Sequence, residues 1–230
     1  MTEFAKKLFR DRAEGIPTVA FLGDSLTHSC FESREDMPGI CDSAHGYPAL
    51  FKIKCDRIRP FNPINIINAG VGGQTAVDGL ARIHRDVISK GPDLVVVCFC
   101  LNDASYPEQR YYEALDAIFK ELKKAELETV FMTQIMLNKY ISKELQPGSL
   151  RDFAQVTMEQ QLSGKVDRMV DRARQIAAEN GVPVADCYKK WKHLEELGAD
   201  TTDYLVNHIN HPNRQMHWLL ADTLFETVIF

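Results

Sequence analysis

The run Leu94-Val95-Val96-Val97-Cys98-Phe99-Cys100 contains no charged or amide-bearing side chain, and it stops abruptly at Asn102-Asp103. A strand with one wet face alternates polar and apolar residues, so a run this uniform predicts a strand covered on both faces, as in a parallel sheet between helical layers. Shorter apolar runs at residues 18–22, 64–67, 129–132 and 183–185 each end in the same way, the first in Gly23-Asp24-Ser25 and the second in Asn68-Ala69-Gly70. Between them, helical spacing of apolar residues covers about 47–58, 75–89, 108–125 and a long stretch 150–180 with a break near Gly164. A helix at 2–14 precedes the first strand, and another at 213–227 closes the chain. This alternation predicts an α/β fold, a three-layer α/β/α sandwich with a five-stranded parallel sheet, flavodoxin-like, in one domain spanning residues 1–230. In such a sheet the polar residues after the strands converge on one crevice.

The chain has 230 residues, 45% of them hydrophobic, enough for a sizeable core. Its formal net charge of −5 leaves no basic stripe to neutralise phosphates, so a small neutral or weakly polar molecule, rather than nucleic acid, is the expected partner. No stretch reaches the roughly 18 apolar residues of a membrane span. Residues 1–15 are rich in charge (Lys6, Lys7, Arg10, Asp11, Arg12) where a secretion signal needs an apolar centre. A cytoplasmic location is expected, with the six cysteines (Cys30, Cys41, Cys55, Cys98, Cys100, Cys187) as free thiols, since none stands in a Cys-x-x-Cys spacing.

A serine in the turn after the first strand can expose its hydroxyl while its own amide faces a developing oxyanion. Plain turns use Gly, Asp and Ser too, for conformational reasons alone. What distinguishes Ser25 is its company. Gly23-Asp24-Ser25-Leu26, Asn68-Ala69-Gly70-Val71-Gly72-Gly73-Gln74-Thr75, Leu101-Asn102-Asp103 and His211-Pro212-Asn213 resemble, in order, sequence blocks of the SGNH (GDSL) hydrolases. The resemblance runs from residue 23 to residue 213. It implies a serine esterase that forms an acyl-enzyme on Ser25 with His211 as general base, and it calls for no cofactor. It also implies an oxyanion hole built from the backbone amides of Ser25 and Gly73 and the side-chain amide of Asn102. Gly73 has no Cβ to obstruct a substrate, and Asn102 is a neutral donor of two hydrogens. Each also has an ordinary use, as a helix-entry turn and a helix cap. Pro212 fits the first position of the last helix.

In one respect the chain departs from the family pattern. The aspartate usually found three residues before the histidine is here His208, within His208-Ile209-Asn210-His211. Three substitutes are open, in order of preference: the backbone carbonyl of His208 in a serine–histidine dyad, Asp186, and Asp203. His208, His211 and His217 also suggest zinc, but Pro212 keeps them off one helical face and no metal is expected. Asp24 and Asp103 are expected to serve as hydrogen-bonding loop residues.

Residues 28–46 and 138–150 are long enough to wall the site, and neither is apolar enough for a long acyl chain. The expected substrate is a short acyl ester, such as acetyl on a carbohydrate or similar polar scaffold, partly because SGNH relatives act on such esters. Two other readings are a flavodoxin-like domain gripping phosphate or flavin, which has no use for His211, and a catalytically weak or silent SGNH-fold carbohydrate-binding or interaction protein.

Overall fold

The computed structural model describes residues 2–10, 15–33 and 39–230. Five strands form one parallel sheet: β1 (Thr18–Gly23), β2 (Asn65–Gly70), β3 (Leu94–Cys98), β4 (Thr129–Met132) and β5 (Val184–Ala185), in the spatial order β2-β1-β3-β4-β5. Gly23 of β1 stands opposite both Gly70 of β2 and Cys98 of β3, so these three strands end nearly level. From β1 the chain moves to one side to make β2, then crosses to the other side to make β3. The switch point, where open α/β sheets bind ligands, therefore lies at the carboxyl ends of β1 and β3.

The helices are α1 (Glu3–Leu8), α2 (Ser25–His28), α3 (Tyr47–Ile58), α4 (Ala76–Asp86), α5 (Glu108–Lys124), α6 (Ser149–Leu162), α7 (Lys165–Glu179), α8 (Cys187–Glu196) and α9 (Arg214–Ile229). Helices α1, α3, α8 and α9 pack as one layer, and α4 to α7 as the other. Every residue of β3 is buried, as its uniform composition predicts. Aromatic rings fill the layer contacts edge to face, Phe21 against Tyr47 and Phe51, and Phe119 against Phe131. No helix among the described residues is long and apolar enough to cross a membrane.

Several boundaries differ from those expected. β2 continues through Asn68-Ala69-Gly70, because an edge strand with one free side accommodates polar and small residues that resemble a turn. α1 ends at Leu8; the expected remainder at 11–14 lies outside the described residues. The long helix is two, α6 and α7, separated at Gly164. α8 was not expected, and it starts immediately behind the two-residue β5, with Asp186 as its cap. Pro212 is not the first residue of α9: Asn213 is the N-cap, its side chain accepting from the Met216 amide, and Pro212 pairs with Leu205 in an isolated bridge. One glycine seats the first turn on the sheet: a Cβ on Gly70 would fall 2.3 Å from the His28 nitrogen, so only glycine lets α2 lie across the end of β2.

Candidate active site

Ser25 is the first residue of α2. Asp24 caps that turn, its Oδ1 accepting from the Leu26 amide at 3.0 Å. The other carboxylate oxygen accepts from Gln134 Nε2 at 2.7 Å, and Gln134 Oε1 accepts from the Leu101 amide at 2.7 Å. The turn carrying Ser25 is thus braced against the ends of β3 and β4. Burial pushes the Asp24 carboxyl up to about 6, opposed by its Gln134 and Leu26 donors. Asp103 is raised to about 7, again chiefly by burial, while it accepts from the Ala76 amide at the start of α4. Both aspartates hold loops together, as expected.

The Ser25 hydroxyl donates to His211 Nε2 at 3.0 Å, and His211 Nδ1–H donates to the backbone carbonyl of Phe31 at 2.8 Å. A carbonyl accepts only, so the ring proton sits on Nδ1 and the Nε2 lone pair faces the hydroxyl. Burial holds the imidazole below its usual pKa, with the Phe31 carbonyl opposing in part, which keeps the base neutral. Asn207 shapes the loop that presents it. Its Oδ1 accepts from the amides of Ile209, Asn210 and His211 at 3.1, 3.0 and 2.9 Å, and its Nδ2 donates to Asn210 Oδ1 at 2.9 Å.

None of the three expected orienting groups faces the imidazole. Nδ1 meets Phe31 O, not the carbonyl of His208. His208 instead adopts a left-handed backbone (φ +55°) and sends its Nε2 to Glu144 at 3.1 Å. Asp186 is engaged by Arg174 at 2.8 and 3.0 Å and caps α8 through the Lys189 amide, and Asp203 accepts from the Tyr140 hydroxyl. A backbone carbonyl far away in sequence has no side-chain signature, so Phe31 was not foreseen. The His208, His211 and His217 side chains go to separate partners. His217 is fully buried, accepts from the Tyr47 amide at 3.0 Å, and is pushed down to about 3 by burial.

Gly73 and Asn102 line the same cleft as Ser25 and His211. Gly73 has φ +77° with nothing within 4 Å of where a Cβ would stand, so glycine is required here for its backbone conformation rather than for a close approach. Asn102 Nδ2 donates to Gln74 O at 2.9 Å and lies 3.4 Å from Asp24 Oδ2, which fixes the amide at the strand ends. Beneath this loop the buried Arg82 guanidinium donates to Gly23 O at 3.0 Å, Ala69 O at 2.7 Å and Gln74 Oε1 at 2.6 Å. It ties the ends of β1 and β2 to the turn bearing Gly73. An arginine in a helical pattern reads as a solvated residue, so this role had no sequence signal.

The cleft has a volume of about 320 Å³. Ser33, Asn207 and Asn210 give it polar walls, and Leu150, Phe153 and Ile209 apolar ones. Segment 28–46 contributes Cys30, Ser33 and Gly39 as expected, whereas 138–150 contributes only Leu150. Asn138 turns inward to the carbonyls of Tyr140 and Ala154.

A serine–histidine pair at the carboxyl edge of a doubly wound sheet, in a cleft lined by a glycine and an asparagine from the next two strand ends, is the arrangement expected of an SGNH hydrolase. Residues 21–219 match the GDSL-like Lipase/Acylhydrolase family, and the chain belongs to that family. Solved structures with the same fold include an acetylxylan esterase of Geobacillus stearothermophilus, with TM-score 0.71 and 20% identity, covering 93% of this chain and 94% of that one. Another is the acetyl xylan esterase AlAXEase, with TM-score 0.70 and 21% identity, covering 92% of this chain and 100% of that one. In sequence, an acetylxylan esterase of Geobacillus stearothermophilus is 33% identical over 86 residues, 37% of this chain and 39% of its own length. An uncharacterised lipoprotein of Bacillus subtilis (strain 168) is 26% identical over 162 residues, 61% of this chain and 60% of its own. The chain thus spans less than two thirds of either sequence relative.

Proposed function

We propose that the protein is a serine esterase that removes short acyl groups, acetyl above all, from a carbohydrate or similar polar alcohol. The observation that carries this reading is the buried 3.0 Å contact between Ser25 Oγ and His211 Nε2, made in a cleft that Gly73 and Asn102 also line. A neutral imidazole aimed at a serine hydroxyl is the constellation acyl transfer requires.

In this mechanism Ser25 Oγ attacks the ester carbonyl carbon as its proton passes to His211 Nε2. The imidazolium so formed is stabilised through Nδ1–H by the Phe31 carbonyl. The tetrahedral oxyanion accepts hydrogen bonds from the Ser25 and Gly73 amides and from Asn102 Nδ2, whose long 3.4 Å contact with Asp24 Oδ2 gives way to it. Collapse expels the alcohol, which takes the proton from Nε2, and leaves the acyl group on Ser25. Water then attacks the acyl-enzyme with His211 again as base, releasing the carboxylic acid and restoring the hydroxyl.

The small cleft supports the choice of substrate, since ligand pockets range over about 300–1,000 Å³. Ser33, Asn207 and Asn210 suit a hydroxyl-bearing alcohol, and the acetylxylan esterases among the structural neighbours point the same way. The test is kcat/KM on p-nitrophenyl acetate and octanoate, together with acetate release from acetylated xylo-oligosaccharides. The acetate ester is expected to turn over at least about tenfold faster, since a cleft of about 320 Å³ with polar walls favours the shorter acyl chain. Preference for the octanoate contradicts the assignment.

A further inference from the structure

Beside the cleft, Cys30 and Cys41 bring their sulfurs to 2.8 Å across an isolated antiparallel bridge. The hydrogen bonds around them define the pairing. The Phe31 amide donates to Ile40 O, and the Asp42 amide donates to Ser29 O, both at 2.8 Å. These bonds bracket the two cysteines, which therefore form a non-hydrogen-bonded cross-strand pair. In such pairs the Cα atoms are about 4.5 Å apart, inside the roughly 4.4–6.8 Å that disulfides span.

We propose that Cys30 and Cys41 are a reversible disulfide site, and that the bond clamps the backbone presenting the Phe31 carbonyl to His211. Three features support it. Cys41 is exposed while Cys55, Cys98, Cys100 and Cys187 are buried, so oxidant reaches this pair first. Cys41 is the exposed member of the pair and therefore the point of entry, while burial and the neighbouring Cys41 raise the Cys30 thiol above its ordinary value. The ligand atoms of His28, Cys30 and Cys41 all lie within 4.8 Å of one another, so the pair sits beside an exposed imidazole rather than sealed in the apolar core.

With oxidised glutathione as the oxidant, the Cys41 thiolate attacks the disulfide and releases one glutathione thiolate. The Cys30 sulfur then attacks Cys41 Sγ in the mixed disulfide, gives up its proton and expels the second. The net change is two protein thiols and one glutathione disulfide becoming one protein disulfide and two glutathiones. The bond forms whether or not the esterase reading holds; only its effect on turnover rests on that reading.

The test is to equilibrate the native protein in glutathione buffers from fully reduced to fully oxidised, alkylate, and map the peptides by mass, with melting temperature and ester hydrolysis measured in parallel. Oxidation is expected to remove two alkylatable thiols, join the peptides carrying residues 30 and 41, and raise the melting temperature by about 5 °C. Dithiothreitol should reverse all three effects, and Cys41→Ser should melt like the reduced protein in every buffer. Hydrolysis should persist to a correspondingly higher temperature in the oxidised form. Retention of both thiols in fully oxidised glutathione, or pairing of either cysteine with another residue, overturns the proposal. So does thiol protection that appears only when Zn²⁺ is added. A protein that oxidises and is stabilised but hydrolyses no ester in either redox state keeps the disulfide and sinks the esterase reading instead.

Discussion

The Phe31 carbonyl and the His211 imidazole, 180 residues apart in sequence, meet in a 2.8 Å hydrogen bond at the position where an aspartate orients the base in a serine–histidine–aspartate triad. A neutral carbonyl fixes the tautomer and direction of the ring but offers the imidazolium less electrostatic stabilisation than a carboxylate. Ser25 and His211 are thus a hydrogen-bonded pair whose imidazole is oriented by backbone.

Because no carboxylate among the described residues touches His211, Asp203→Asn is expected to change kcat/KM by less than about twofold. Asp186→Asn should lower the melting temperature, through loss of its ion pair with Arg174, without a comparable loss of kcat. In a triad the equivalent change costs about 10⁴ in kcat, so a loss of that size in either variant contradicts the dyad.

Burial holds His211 below the ordinary histidine value. The base must be neutral to act, so kcat/KM should rise with pH along an acid limb whose midpoint lies below about 6.5. Initial rates on p-nitrophenyl acetate between pH 4 and 9 give that midpoint. One above 6.5 would point to a carboxylate partner after all.

Asn207→Ala removes the acceptor shared by three consecutive amides in the loop before His211. Each stranded donor costs about 1–3 kcal/mol, so the loop should relax and the imidazole leave its line to Ser25. A fall in kcat of about 10- to 100-fold is expected with the fold intact by circular dichroism. Unchanged kcat would show that the loop is held by other means.

The Asp103 carboxyl titrates at about 7 in the folded chain, against 3.8 ordinarily. Between those values the native state keeps a proton that the unfolded chain has released, so this group's stabilising contribution is present below about pH 4 and lost as pH rises through 7. Asp103→Asn retains an acceptor for the Ala76 amide but does not titrate. Relative to the unsubstituted protein, its unfolding free energy in urea should therefore improve from pH 4 to pH 7.5, by on the order of 1–4 kcal/mol. A difference independent of pH would mean that Asp103 is already ionised at pH 4.

Much of this was legible in the sequence. The unbroken run at residues 94–100 reads as a doubly covered strand, which Leu94–Cys98 forms, and the alternation of strand and helix patterns around it gave the three layers. Ser25, Gly73, Asn102 and His211, which the fold gathers around one cleft, stood out because each falls in a recognisable sequence block, in order along the chain. What was hidden works through backbone atoms or buried exceptions to surface rules. Phe31 acts by its carbonyl, which every residue possesses. Arg82 and Gln134 are polar side chains whose burial depends on strand ends brought together only by the crossover connections. Asn207 looks like any loop asparagine until its oxygen is seen under three amides.

The central claim, that Ser25 is a nucleophile activated by His211, is tested most directly by labelling with a fluorophosphonate at pH 7.5 and locating the adduct by mass spectrometry. A single adduct on Ser25 is expected, absent from Ser25→Ala and slowed by at least about 10³-fold in His211→Ala, in keeping with the loss of a general base. No adduct, an adduct on another residue, or equal labelling with and without His211 contradicts the assignment.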